Sequence, residues 1–203
     1  MNHTYNMKKK FQIEVPEGVD KVLLHTCCAP CSSAIIECLM QHGITPIIYY
    51  CNPNIYPLEE YNIRKEECTR YALSLGLEII DADYNHEEWL CQMKGMENEP
   101  ERGGRCLRCF KMRLKDTARY AHERGLKVIT TTLASSRWKS LEQINEAGLF
   151  AVSFYPDVIW WDQNWRKGGL QERRMQILKE YDFYNQLYCG CEFSIRKDDQ
   201  NTG

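Results

Sequence analysis

The 203-residue chain has no run of about eighteen apolar residues, so no transmembrane helix is expected. Its first residues, MNHTYNMKKKFQIEV, carry charge but no apolar core segment, so they do not read as a secretory signal. No internal repeat or low-complexity tract is present. The formal net charge is only −2, which argues against a nucleic-acid binder driven by overall charge. What remains is a soluble, cytoplasmic chain with an ordinary apolar fraction of 43%, long enough to bury a core without covalent staples. The expected organisation is a disordered leader over 1–20, one domain over 21–196 and a disordered tail over 197–203.

Two properties stand out against these absences. Charge is locally uneven: between Arg102 and Arg119 lie seven basic residues and one acid, Asp116, a net +6. That stretch reads either as a solvated helix face or as a phosphate-contacting patch. Cysteine is the second excess, with 11 in the chain. Disulfides are rare in the cytosol and the count is odd, so metal binding or redox chemistry is the stronger reading.

Strand and helix patterns alternate. KVLLH at 21–25 reads as a buried strand, followed by the loop TCCAPC and a helix from Ser32 to His42 that stops at Gly43. A strand over 44–50, the turn-rich CNPNIYP, a helix over 58–75 and a strand over 77–81 come next. A polar helical segment at 86–94, a break at ENEPERGGR and a long helix after Cys106-Leu107-Arg108-Cys109 follow. Then come a strand over 127–132, a helix from Ser140 to Ala147 ending at Gly148, a short strand around 151–154 and a helix over 171–179. Such alternation implies an α/β fold with an open parallel sheet and right-handed crossovers. In these sheets ligands sit at the carboxyl ends of the strands, so the cysteine loop after the first strand is expected in the pocket, with CNPN and TTLASS beside it.

Seven cysteines form three tight groups: Cys27, Cys28 and Cys31; Cys106 and Cys109; Cys189 and Cys191. Cys38 and Cys68 fall within helices and read as small buried hydrophobes, Cys51 lies at a strand end, and Cys91 is isolated. His25, at the end of a buried strand, reads as a satisfied core histidine. A CxxC pair at the front of a helix suits thiolates, because the positive helix end favours them. Four thiolates satisfy either structural zinc or an iron–sulfur cluster. Adjacent Cys27 and Cys28 are poorly placed to share one tetrahedral site and are read as serving two neighbouring sites. Seven thiolates exceed one four-ligand centre, which points to a cluster with a second metal or with redox thiols.

The segments LLHTCCAPCSS, YYCNPNIYPLEEYNIRKEE, RCLRCFKMRLKDTA, TTLASSRWKS, WRKGG and YCGCEFS, in that order, resemble the QueH-type epoxyqueuosine reductases over residues 21–194. The resemblance implies a Rossmann-like fold of the adenine-nucleotide alpha-hydrolase (HUP) type. It implies reduction of epoxyqueuosine at the tRNA wobble position to queuosine. It also implies a [4Fe-4S] cluster with an adjacent mononuclear iron and no cobalamin, with tRNA and a low-potential electron donor as partners. Cys27, Cys28, Cys106 and Cys109 are the expected cluster-binding residues, with Cys31, Cys189 and Cys191 completing the metal ligands. The tail departs from the family by carrying Asn185 where Arg is common. Asp162 stands four residues before Arg166, further away than the family's usual acid.

Removing an epoxide oxygen takes two electrons that no side chain readily supplies, so a redox cofactor is required. A proton donor near the departing oxygen would assist; Lys167, Asp162 and Tyr188 are the candidates. Asn52 and Asn54 are expected to bind the modified base, with Arg105, Arg108, Lys111 and Arg166 on the substrate's backbone. Trp160, Trp161 and Trp165 are read as base-stacking residues or as core. Two alternatives are a cluster-containing tRNA sulfur transferase and a zinc-stapled or redox-sensing binding module. The first needs a Gly-rich phosphate loop after the first strand; HTCCAPCSS has no glycine there, so no use of ATP is expected.

Overall fold

Val22-Leu23-Leu24 and Val128-Ile129-Thr130-Thr131 are short apolar or β-branched runs, suited to strands covered on both faces. The computed structural model, which describes residues 11–82, 84–186 and 188–195, places these runs at the centre of the sheet and fully buried. In chain order the elements are β1 (Lys21–His25), α1 (Ala29–Gln41), β2 (Thr45–Tyr50), α2 (Leu58–Ser74), β3 (Ile79–Asp81), α3 (His86–Met93), α4 (Gly104–Glu123), β4 (Val128–Thr131), α5 (Leu141–Val152), β5 (Ile159–Trp160) and α6 (Leu170–Glu180). Short 3-10 turns follow at Thr132–Ser135 and Glu192–Ser194. The fold is α/β with an open, all-parallel sheet of five strands in the order β3-β2-β1-β4-β5.

That order contains one switch point. From β1 the chain builds outward through β2 and β3, then returns to lay β4 against the free edge of β1. The loops leaving β1 and β4 therefore part company, and a crevice opens between them at the carboxyl edge. Register sharpens this: His25 at the end of β1 lies opposite Tyr49 of β2 and Thr131 of β4. Its ring is buried, with Nδ1 2.7 Å from Thr131 Oγ1 and Nε2 3.1 Å from the Cys51 carbonyl, tying three strand ends together. Helix α1 packs against α2 and α6, and α4 against α5. Right-handed crossovers put these two groups on opposite faces of the sheet.

Three boundaries differ from the sequence expectation. Helix α1 begins at Ala29, with Pro30 in its first turn, so Cys31 is helical. Helix α4 begins at Gly104, so Cys106 and Cys109 lie inside its first two turns instead of ahead of it. The strand expected near 151–154 is the end of α5, and the fifth strand is Ile159–Trp160. Gly148 does not stop α5. It lets the helix press onto β5, where an added Cβ would lie 2.1 Å from Trp160 Cε2.

Residues 1–10 of the expected leader, and the whole expected tail, lie outside the described residues. Residues 11–20 form no helix or strand, and Phe11, Ile13 and Val19 pack against the core. No helix among the described residues is long and apolar enough to cross a membrane.

Candidate metal centre

The turn after β1 presents Cys27 and Cys28, and the first turn of α1 presents Cys31 from the same side. All three Sγ atoms lie within 4.8 Å of one another, and no further His, Cys, Asp or Glu among the described residues joins them at that distance. Cys27 Sγ and Cys28 Sγ are 3.8 Å apart. A tetrahedral thiolate site with arms of about 2.3 Å has edges of about 3.8 Å, so this pair can grip a single ion. The reading that adjacent Cys27 and Cys28 serve two neighbouring sites is not required by that distance. Cys28 is the N-cap residue of α1, while the Cys27 thiol meets Thr132 in the turn after β4.

The thiols do not titrate alike. Hydrogen bonds from Cys28 and Cys31 hold the Cys27 thiol well below the ordinary range, with Lys139 and Thr132 adding to the effect. Burial pushes Cys28 well above it, and the hydrogen bond to Cys27 brings Cys31 up to about 11. A bound metal would draw all three to the thiolate form. Two other groups position the trio. Thr132, in the loop after β4, lies 3.4 Å from Cys27 Sγ, and the Gln186 side-chain amide donates to Cys28 Sγ at 2.9 Å.

A second thiol group is assembled from α4 and the C-terminal segment. Cys109 and Cys191 pack with Trp89 and Met93 in a small apolar cluster of their own. Cys106, Cys189 and Cys191 line a cavity of about 40 Å³. Burial raises the Cys106 thiol, and the neighbouring Cys189 and Cys109 raise it further; burial and then Cys109 push Cys191 up to about 12. Among the described residues no three of these four thiols lie as close together as the trio does.

Arg64 fixes the C-terminal half of this group. It is buried, paired with Glu60 at 2.6 Å, and donates to the carbonyls of Tyr188 and Cys189 at 3.3 and 3.4 Å. The chain turns at Gly190 with φ +105°, and the Tyr56 amide donates to the Gly190 carbonyl at 2.8 Å. An added Cβ there would meet Ile55 Cγ1 at 2.9 Å and Arg64 Nη1 at 3.1 Å.

Lys139 connects the two groups. Its Nζ donates to Cys189 Sγ at 3.3 Å. Burial works against its ammonium, but Cys189, Cys27 and Cys31 outweigh that and hold its pKa above the ordinary lysine value. Lys139 and Cys189 line both the small cavity and a larger one of about 470 Å³ that also holds Cys27 and Cys31. The larger cavity is lined by five cations, Arg64, Arg113, Arg137, Lys139 and Arg174, against one carboxylate, Glu101.

Expected substrate and catalytic residues are distributed unevenly. Asn54 lines the 470 Å³ cavity, is buried, and has its side-chain oxygen without a partner. Asn52 also lines it, but both ends of its amide are engaged: Nδ2 donates to the Thr26 carbonyl at 2.9 Å and Oδ1 accepts from Arg113. Tyr188 lines it too and donates its hydroxyl to the Tyr56 carbonyl; burial pushes that hydroxyl up to about 12. Asp162 and Lys167 are exposed and line none of the three cavities. Arg105 is buried, with Nη1 donating to the carbonyls of Met96, Glu97 and Glu99, so it organises the ENEPERGG loop from inside. Arg108 and Lys111 line a separate groove of about 890 Å³ beside β2 and β3, where Lys111 pairs with Glu146 at 2.6 Å. Arg166 donates to the Lys139 carbonyl at 2.7 Å. Trp161 and Trp165 are core residues, and Trp160 packs on Gly148.

Lys139 and Gln186 were not picked out from the sequence; Arg64 reads there as needing no function, and Arg113 reads as a phosphate contact but is buried on the Cys51 carbonyl and Asn52. For Lys139 one signal was available: it follows the fourth strand, in a loop already expected at the same edge as the thiols.

The family model described as "Epoxyqueuosine reductase QueH" matches residues 22–197. A protein of that name from Acinetobacter baylyi is 49% identical over 189 residues, covering 93% of this chain and 87% of its own. Another from Histophilus somni is 52% identical over 185 residues, covering 91% and 76%. A third, from Thermotoga maritima, is 35% identical over 177 residues, covering 86% and 90%.

Proposed function

Because the chain belongs to the QueH family of epoxyqueuosine reductases, we propose that it removes the epoxide oxygen of epoxyqueuosine at the tRNA wobble position to give queuosine. The observation that carries this reading beyond the family name is the thiol trio at the switch point, facing a cation-lined cavity of about 470 Å³. That volume is within the range of sites for single small molecules, and its charge suits a ligand attached to phosphates.

The reaction breaks both carbon–oxygen bonds of the epoxide, forms a carbon–carbon double bond and releases water. It takes up two electrons, from a low-potential donor, and two protons. Cys27, Cys28, Cys106 and Cys109 are assigned to the [4Fe-4S] cluster, with Cys31, Cys189 and Cys191 completing the ligands of the adjacent iron; the close approach of Cys27, Cys28 and Cys31 supports metal at this edge. When bound, these metals would supply single electrons and a Lewis acid for the departing oxygen.

The chain's own residues have separate tasks. Asn54 offers an unpaired acceptor to the substrate's hydroxyl or amine donors. Lys139 holds a positive charge where negative charge develops on oxygen, and it carries a proton inside the cavity. Tyr188 retains its hydroxyl proton at the same wall. Arg113, through Asn52 and the Cys51 carbonyl, fixes the loop on which Asn54 sits.

The test is anaerobic turnover of an anticodon stem-loop RNA bearing epoxyqueuosine, with dithionite as electron source and mass spectrometry as readout. Product lighter by one oxygen atom supports the reading. Unchanged RNA, with protein that holds iron and sulfide, refutes it.

A further inference from the structure

Trp138 is the one tryptophan left exposed among the described residues, at 73%, while Trp89 and Trp165 are fully buried and Trp161 nearly so. It sits on the rim shared by the 470 Å³ and 40 Å³ cavities, between Arg137 and Lys139, both of which line the larger one. An indole in water loses the burial that would stabilise it. A chain that buries its other tryptophans therefore has no folding reason to place this one outside.

The loop that carries Trp138 is held rigidly. Arg102 donates to the carbonyls of Arg137 at 2.8 Å and Trp138 at 2.9 Å, and Arg166 donates to that of Lys139 at 2.7 Å. Three successive carbonyls are thus fixed by two guanidinium groups. Arg102 itself has φ +67°, in the left-handed region that few residues other than glycine occupy. The backbone is tied down while the side chain faces solvent. Such pre-organisation lowers the entropy cost of binding a planar partner. A sequence-tolerant planar partner next to a phosphate-attracting cavity is an unpaired nucleobase.

We propose that Trp138 is a stacking platform for an unpaired base of the RNA loop next to the nucleoside held in the cavity, with Arg137 meeting the adjoining phosphate. This rests on the proposed tRNA-modifying function and adds to it a specific RNA-binding residue. It assigns to Trp138 the stacking that the sequence suggested for Trp160, Trp161 and Trp165.

The experiment measures the affinity of the full metal-loaded chain for a fluorescently labelled anticodon stem-loop RNA by anisotropy at fixed salt, for wild type, Trp138→Ala, Trp138→Phe and Phe154→Ala. Phe154 is an exposed aromatic that lines none of the three cavities and serves as the control. Loss of one base stack weakens binding by roughly ten- to a hundredfold, so Trp138→Ala is expected to show that loss and Trp138→Phe to recover most of it. A blunt duplex of the same stem should bind all four alike. Equal stem-loop affinity for Trp138→Ala and wild type, with the same thermal midpoint, overturns the assignment. Unchanged RNA affinity with altered sedimentation overturns it as well and makes the indole a self-association contact. Wild type that neither binds nor reduces the stem-loop removes the functional reading and this one with it, whereas insensitivity of an active enzyme to Trp138→Ala removes this one alone.

Discussion

Arg113 shows how much of the site depends on single buried side chains. It lies at 2% exposure inside α4, donates from Nε to the Cys51 carbonyl at 3.1 Å and also serves Asn52 Oδ1. Arg113→Met keeps the bulk but leaves Asn52 Oδ1 unpaired, at a cost of about 1–3 kcal/mol, while the Cys51 carbonyl keeps His25 Nε2 as a partner. The expected fall in Tm is about 2–10 °C, measured by thermal unfolding. His25 gives a pH prediction. Burial, and then the Arg113 charge, lower its pKa to about 3 from an unfolded value of 6.5. Below pH 6.5 the unfolded chain takes a proton that the folded chain refuses, so folding stability is lost as pH drops from 6.5 towards about 3. Well inside that window the slope from this one residue is about 1.4 kcal/mol per pH unit, and His25→Gln should flatten the acid limb by that amount. The core roles of His25, Cys38 and Cys68 were legible in the sequence, because His25 ends an apolar strand and the two cysteines fall inside helices, away from the clustered thiols. Lys139 and Gln186 were not, because each acquires meaning only when its loop folds onto a thiol distant in sequence: Cys189 for Lys139 and Cys28 for Gln186.

At the scale of elements, two glycines do different work. Gly148 lets α5 lie against Trp160, and a methyl there would sit 2.1 Å from the ring. Gly148→Ala is therefore expected to destabilise by about 1–3 kcal/mol through overpacking, lowering Tm by roughly 2–10 °C without changing the thiol loops. Gly190 turns the chain between Cys189 and Cys191 at φ +105°, with Arg64 and Ile55 closing the space around it. Gly190→Ala should leave the sheet intact, as judged by circular dichroism, while sharply lowering iron content after anaerobic purification. Most elements could be read from the sequence, since β1, β2 and β4 are dense apolar runs and Gly43, Gly76 and Gly125 follow their helices. The stretch after Ala147 misled because glycine is a common helix stop and Ala151–Phe154 has strand-forming residues. What decides the matter is packing of α5 on a two-residue β5, which no local pattern encodes.

At the scale of the whole molecule, sheet order sets the location of the chemistry. β1 and β4 are neighbours whose connections run in opposite directions, so Cys27 from one loop meets Thr132 from the other at 3.4 Å. The sequence made this edge predictable, because alternating strands and helices imply it. The division of seven cysteines was not predictable, because spacing along the chain says nothing of which groups face one another. The folded chain brings Cys27, Cys28 and Cys31 into a close trio, and Lys139, which donates to Cys189, lines the same cavity as Cys27 and Cys31. The decisive measurement is iron and acid-labile sulfide content of anaerobically purified wild type, Cys31→Ser and Cys106→Ser, with electron paramagnetic resonance after dithionite reduction. The account predicts that Cys106→Ser loses sulfide and most iron, while Cys31→Ser keeps its sulfide and cluster signal and loses only the extra iron. Loss of sulfide in Cys31→Ser with an intact cluster in Cys106→Ser, or zinc without sulfide in the wild type, would contradict it.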